Sequence, residues 1–99
     1  MRNVELVVTF LAPDQGGRTK PIEINGYRPH LRVPPDDTMV GVEFLGPEGV
    51  APLGIPISAT VRLVYDPAVS YSALQPGASI EILEGARIVG RGRVVGSAA

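Results

Sequence analysis

Ser79 to Val95 reads S-I-E-I-L-E-G-A-R-I-V-G-R-G-R-V-V. Its first half alternates apolar and polar residues up to Leu83, as a strand with one buried face does. Glu84-Gly85 interrupts that pattern, and a second extended run follows from Arg87 to Val95. Two runs of this kind around a short glycine-containing break predict a β-hairpin. The hairpin sets the expectation for the rest of the chain, which repeats short extended runs between turn residues.

Working back from the hairpin, Pro56 to Tyr65 is β-branched with period two, and Asp66-Pro67 ends it. Val40 to Leu45 is a shorter strand closed by Gly46-Pro47-Glu48-Gly49. Tyr27 to Val33 is extended, although Pro29 restricts it, because proline cannot donate to a sheet ladder. Val4 to Leu11 is the opening strand, with Val4, Leu6, Val8 and Phe10 on one side. Nothing between these runs has helical period. The 99 residues contain 12 Gly and 10 Pro, too many for a helical bundle, in which each such residue is costly. The expectation is an all-β fold: six short antiparallel strands closed into a barrel spanning about residues 3–95. One domain is expected over residues 1–99, with 96–99 a frayed tail. A chain of this mass buries about two-thirds of its extended surface, enough for one core.

Several function classes drop out on composition. There is no Cys and a single His, so thiolate metal sites, Cys-His pairs and His clusters are excluded. No phosphate loop is present, since Gly16-Gly17 runs into Arg18 and not into such a motif. Asp36-Asp37 follows two prolines and reads as a turn. No catalytic set, cofactor or bound nucleotide is expected. No apolar run approaches the ~20 residues a membrane span requires. The N-terminus lacks the form of a targeting segment, which predicts a cytoplasmic protein. The initial Met and near-complete strand pattern predict a free-standing gene product, with a fragment as the alternative.

The net charge is -1, but its distribution is uneven. Seven of the nine cations (Arg18, Lys20, Arg28, Arg32, Arg87, Arg91 and Arg93) fall in residues 18–32 and 87–93, whereas residues 36–84 hold seven acids and one cation, Arg62. Arg28, His30 and Arg32 are even positions of one strand. Arg87, Arg91 and Arg93 are odd positions of another. In an unbulged strand each set shares a face. These faces are either solvated surface or a localised anion-binding stripe.

Three segments, in order, carry a resemblance. They are Gly16-Gly17-Arg18-Thr19-Lys20-Pro21, Gly26-Tyr27-Arg28-Pro29-His30, and Glu84-Gly85-Ala86-Arg87-Ile88-Val89-Gly90-Arg91-Gly92. They resemble G-G-R-H-T-P, G-Y-R-P-Q and E-G-G-R-T-V-G-A-G of the C-terminal barrel of the elongation factor Tu family. The likeness covers roughly residues 3–95. It implies a six-stranded antiparallel barrel without activity of its own, which in the full factor packs on the GTPase domain. That barrel also contacts the T-stem backbone of aminoacyl-tRNA and helps bind the nucleotide-exchange partner.

Carried over residue by residue, the resemblance matches Arg18, Arg28, Glu84, Gly85 and Arg87. It departs at Thr19, His30 and Leu83, and Arg91 and Arg93 replace small or apolar residues. The expected RNA-binding set is therefore Arg18, Arg28, His30, Glu84, Gly85, Arg87 and Arg91, with tRNA or another RNA as partner. The alternative is a structural or protein-interaction module, binding a different protein or a second copy of itself. Leu45, Val50, Leu53, Ile55 and Val69 are the candidates for such a docking patch, unless they close the barrel ends.

Overall fold

In the computed structural model, which describes residues 2–98, the expected six-stranded antiparallel barrel is present. Its strands are β1 (Asn3–Phe10), β2 (His30–Arg32), β3 (Met39–Gly46), β4 (Ile57–Leu63), β5 (Ser79–Glu84) and β6 (Arg87–Ala98). They close in the order β1-β4-β3-β2-β5-β6, every neighbouring pair antiparallel. A single 3-10 turn, Pro13–Gln15, follows β1.

Alternation drives closure. Val4, Leu6, Val8 and Phe10 of β1 are buried, as are Val40, Val42 and Phe44 of β3 and Ala59, Val61 and Leu63 of β4. Each strand buries one side-chain row and leaves the other outside, as the two-residue period requires. Ile22, Ile24 and Tyr71, from the connecting segments, complete the core.

Three boundaries differ from the sequence reading. Only His30–Arg32 of the expected Tyr27–Val33 run pairs on both sides. Upstream, Phe44 N–H donates to Tyr27 O (2.8 Å) and Val42 N–H to Pro29 O (3.2 Å), so the backbone of the segment pairs on its β3 side alone. Pro29 has no N–H to return. The hairpin loop is Gly85-Ala86, with Glu84 still in β5 and paired with Arg87. Gly85 has φ +59 and no other loop residue is left-handed, the pattern of a type II′ turn.

Residues 96–98, expected to fray, belong to β6. Gly96, Ser97 and Ala98 pair with Glu5, Val4 and Asn3, after a bulge that leaves Val95 over. Ala99 lies outside the described residues. β1 supplies the reason, because its N-terminal half would otherwise present an unpaired edge.

A second bulge bears on the charge pattern. Ile82 pairs with Gly90 but Leu83 with Ile88, so Val89 is the extra residue of β6. Close packing also holds β6 against β1 here: a Cβ on Gly92 would stand 2.2 Å from Val7 O. That glycine is required by the fold, whatever the chain binds.

Candidate functional site

Cross-strand partners share a face, so the register sorts the arginines. Arg91 goes with Glu81 and Arg93 with Ser79, whereas Arg87 goes with Glu84. Glu81 and Glu84 are three residues apart and point to opposite sides of β5. The expectation that Arg87, Arg91 and Arg93 share one face therefore fails, because the bulge at Val89 reverses the side. Arg91 and Arg93 lie on the outer wall, beside Thr9 and Val7 of β1. Arg87 lies at the hairpin end of the barrel with Glu84.

The two cation windows meet, but not as a single patch. On the outer wall, Arg32 of β2 lies opposite Glu81, which lies opposite Arg91. Arg32 holds Glu81 through Nε (2.9 Å) and Nη2 (2.7 Å), both on Oε1. His30 is exposed one step along, opposite Leu83. Arg28 departs from this group. Its Nη2 lies 3.5 Å from Oε1 of Glu43 on β3, and that same oxygen accepts from Arg62 of β4. Arg28 and Arg62, one placed inside the cationic cluster by sequence and the other outside it, share one carboxylate.

At the barrel end, Arg18, Tyr27 and Glu84 converge. Tyr27 O–H donates to Oε2 of Glu84. Arg18 Nη1 lies 3.2 Å from the same oxygen, and its guanidinium carbon is 6.0 Å from the Tyr27 ring centroid. The Tyr27 ring packs on Phe44 at 5.7 Å and edge-on to Phe10 at 6.2 Å, so the core fixes where its hydroxyl emerges. Burial, reinforced by the hydrogen bond to Glu84, pushes the Tyr27 phenol well above its ordinary pKa. It stays a donor. Tyr27 and Glu84 are 57 residues apart, and in the sequence the tyrosine stands out only as part of the Gly26-Tyr27-Arg28-Pro29-His30 motif. The signal that could have flagged it is its place beside Arg28. Neighbours on an extended segment point opposite ways, so one reaches the hairpin and the other β3.

Among the described residues, Arg87, Arg91 and Arg93 form no ion pair or side-chain hydrogen bond, whereas Arg18, Arg28 and Arg32 each hold a carboxylate. Gly85, between Glu84 and Arg87, is exposed, and a Cβ there would meet nothing within 4 Å. The site thus offers open positive charge along β6 and an unobstructed backbone at the turn. Groups of this kind can hold an anion by charge-assisted hydrogen bonds. Among the described residues no cluster of His, Asp or Glu could hold a metal ion, and no helix is long and apolar enough to cross a membrane.

No family model matches the chain. Over 87 residues, 88% of its length, it is 39% identical to Elongation factor Tu 2 of Streptomyces avermitilis. The chain is thus similar to one barrel's length of an elongation factor Tu. It spans 20% of the length of that relative. For such a barrel, the bulge, the Gly92 contact and the II′ turn account for much of the glycine in the motifs. The open arginines of β6 do not follow from the fold.

Proposed function

We propose that this elongation factor Tu-type barrel is a non-catalytic, cytoplasmic binding module of translation that takes an RNA backbone, tRNA in the first instance, along β6. The observation that carries this reading is that, among the described residues, Arg87, Arg91 and Arg93 have no carboxylate partner. Arginine's planar fork suits phosphate, and an arginine already holding a carboxylate has less to offer. Arg91 and Arg93, two residues apart, are spaced by about 6.8 Å along a strand, close to the phosphate spacing of an extended backbone. Arg87 and Gly85 continue the path over the hairpin end. Arg28 drops out of the contact set, and Arg18 is engaged by Glu84.

With a chain pI near 5.7 and few contacts, binding is weak and salt-sensitive. The test is titration of a labelled tRNA at low and at moderate salt, with the Arg2→Gln variant, at the end of the barrel away from the β5–β6 hairpin, as the control. Binding at low salt that weakens steeply with added salt is expected. No binding at low salt refutes the reading.

The second reading is protein docking. It is favoured by the exposure of Val50, Leu53 and Ile55 within the β3–β4 connection, together with Leu45 near the end of β3 and Val69. That connection is pinned: Ile24 N–H donates to Gly49 O, Ala51 N–H to Ile22 O and Gly54 N–H to Phe10 O. Rigid exposed apolar surface marks contact sites. Size exclusion with light scattering separates a self-associating barrel from a monomer.

A further inference from the structure

Glu84 is held on one side only. Arg18 and Tyr27 both address Oε2, and Oε1 accepts from no protein group among the described residues. The side chain is about a third exposed, at 32%. Beside it are the open backbone of Gly85 and the unpaired Arg87, directly across the hairpin. A carboxylate next to a phosphate site repels the phosphate itself, so what it accepts must be a neutral donor attached to that anion. A ribose hydroxyl one bond network away from a backbone phosphate has this form, and deoxyribose lacks it.

We infer that Tyr27 is a positioning residue: with Arg18 it fixes Oε2 of Glu84 and so presents Oε1 as the acceptor that distinguishes ribose from deoxyribose. This rests on the proposal that an RNA backbone lies at the hairpin. An unheld glutamate would lose rotamer freedom when a ligand arrived, whereas one gripped at Oε2 has lost it already. Tyr27 suits the task because its ring is immobilised by Phe10 and Phe44. Its raised pKa keeps the proton on the phenol, so the contact persists throughout the neutral range. Arg18 accordingly serves the carboxylate and is not a phosphate ligand.

The experiment compares a fluorescent RNA stem-loop with its all-deoxy counterpart of the same sequence, by anisotropy at low salt. The parent chain should favour RNA by about tenfold, the scale of one hydrogen bond to a charged acceptor. Tyr27→Phe keeps the ring and removes the hydroxyl. It should cut the preference to about twofold with DNA affinity unchanged, and Glu84→Ala should abolish the preference. Arg18→Met, outside the aromatic cluster, reads the same ratio if the Phe variant fails to fold. An unaltered ratio in Tyr27→Phe, or equal losses of RNA and DNA, reduces Tyr27 to packing and overturns the inference. Equal binding of RNA and DNA by the parent chain overturns it too, while leaving backbone binding in place. Binding of neither removes the binding proposal, and the inference with it.

Discussion

Two rows on the outer wall have the same composition and opposite states. Arg28, just upstream of β2, lies beside Glu43 of β3 and Arg62 of β4, and Arg32, Glu81 and Arg91 lie side by side on β2, β5 and β6. Each is a carboxylate flanked by two arginines, and the carboxylates are equally sheltered, 19% and 17% exposed. In the first row both arginines hold Glu43. In the second Arg32 takes Glu81 and Arg91 is left over. Charge counting along the sequence cannot separate these rows. What separates them is which cation wins the shared carboxylate, and the loser is the one available to a ligand.

Charge reversal should show this contrast most strongly. The Arg91→Glu/Arg93→Glu double variant should weaken RNA binding by about thirtyfold or more at low salt. It should also flatten the salt dependence by about two in log–log slope. Arg28→Glu should change RNA affinity less than about twofold, because that guanidinium is already engaged; it should lower stability by about 1 kcal/mol through repulsion from Glu43. A comparable loss of binding in both variants would mean that the attraction is diffuse and the rows are equivalent.

Removing the central carboxylates is the next test. Glu43→Gln deprives two arginines of their partner and should destabilise by about 1–2 kcal/mol in urea unfolding, against about 0.5–1 for Glu81→Gln. The second substitution should also release Arg32 beside Arg91 and raise RNA affinity by about threefold. A fall in affinity would show that Glu81 orients the site and does not compete for it.

The smallest effect concerns the barrel end, where a tyrosine joins the arginine at the carboxylate. Tyr27 has its pKa raised in the folded protein. Its contribution to stability is therefore complete below the ordinary phenol value, about 10, and is lost as pH climbs through the native one. Alkaline difference spectra should show the Tyr27 signal delayed until unfolding. Tyr27→Phe should remove that delayed amplitude and leave neutral-pH stability within about 1 kcal/mol.

The barrel and its strands were largely readable because alternation and turn residues are local signals. Val4 to Phe10 and the Gly85 hairpin announce themselves within ten residues. The site was readable only in part. Glu84, Gly85, Arg87 and Arg18 do gather at the end of the β5–β6 hairpin, but Arg91 lies on the outer wall opposite Glu81, and Arg28 goes elsewhere because β3 follows β2 in the wall and offers Glu43 directly opposite. Val89 is chemically an ordinary strand residue, and only pairing reveals that it is surplus and turns Arg87 away from Arg91. The Tyr27–Glu84 contact joins segments 57 residues apart, and alternation beside Arg28 says only that Tyr27 points the other way, not what it meets. The small residues of 96–98 carry no alternation, so their pairing with β1 left no trace in the pattern.

The join between β1 and β6, with Asn3 opposite Ala98, also bears on how the barrel forms. During synthesis β1 precedes the other strands and can dock β4 before β6 is made, but its other edge must wait for β6. The seam is thus the most non-local pairing in the molecule, and closing it bears the largest loop-closure penalty. Until then β1 exposes a backbone edge open to pairing with another chain. Nascent barrels held together at high concentration are therefore poised for exchange of β6 between neighbours, and dilution during refolding favours the closed monomer.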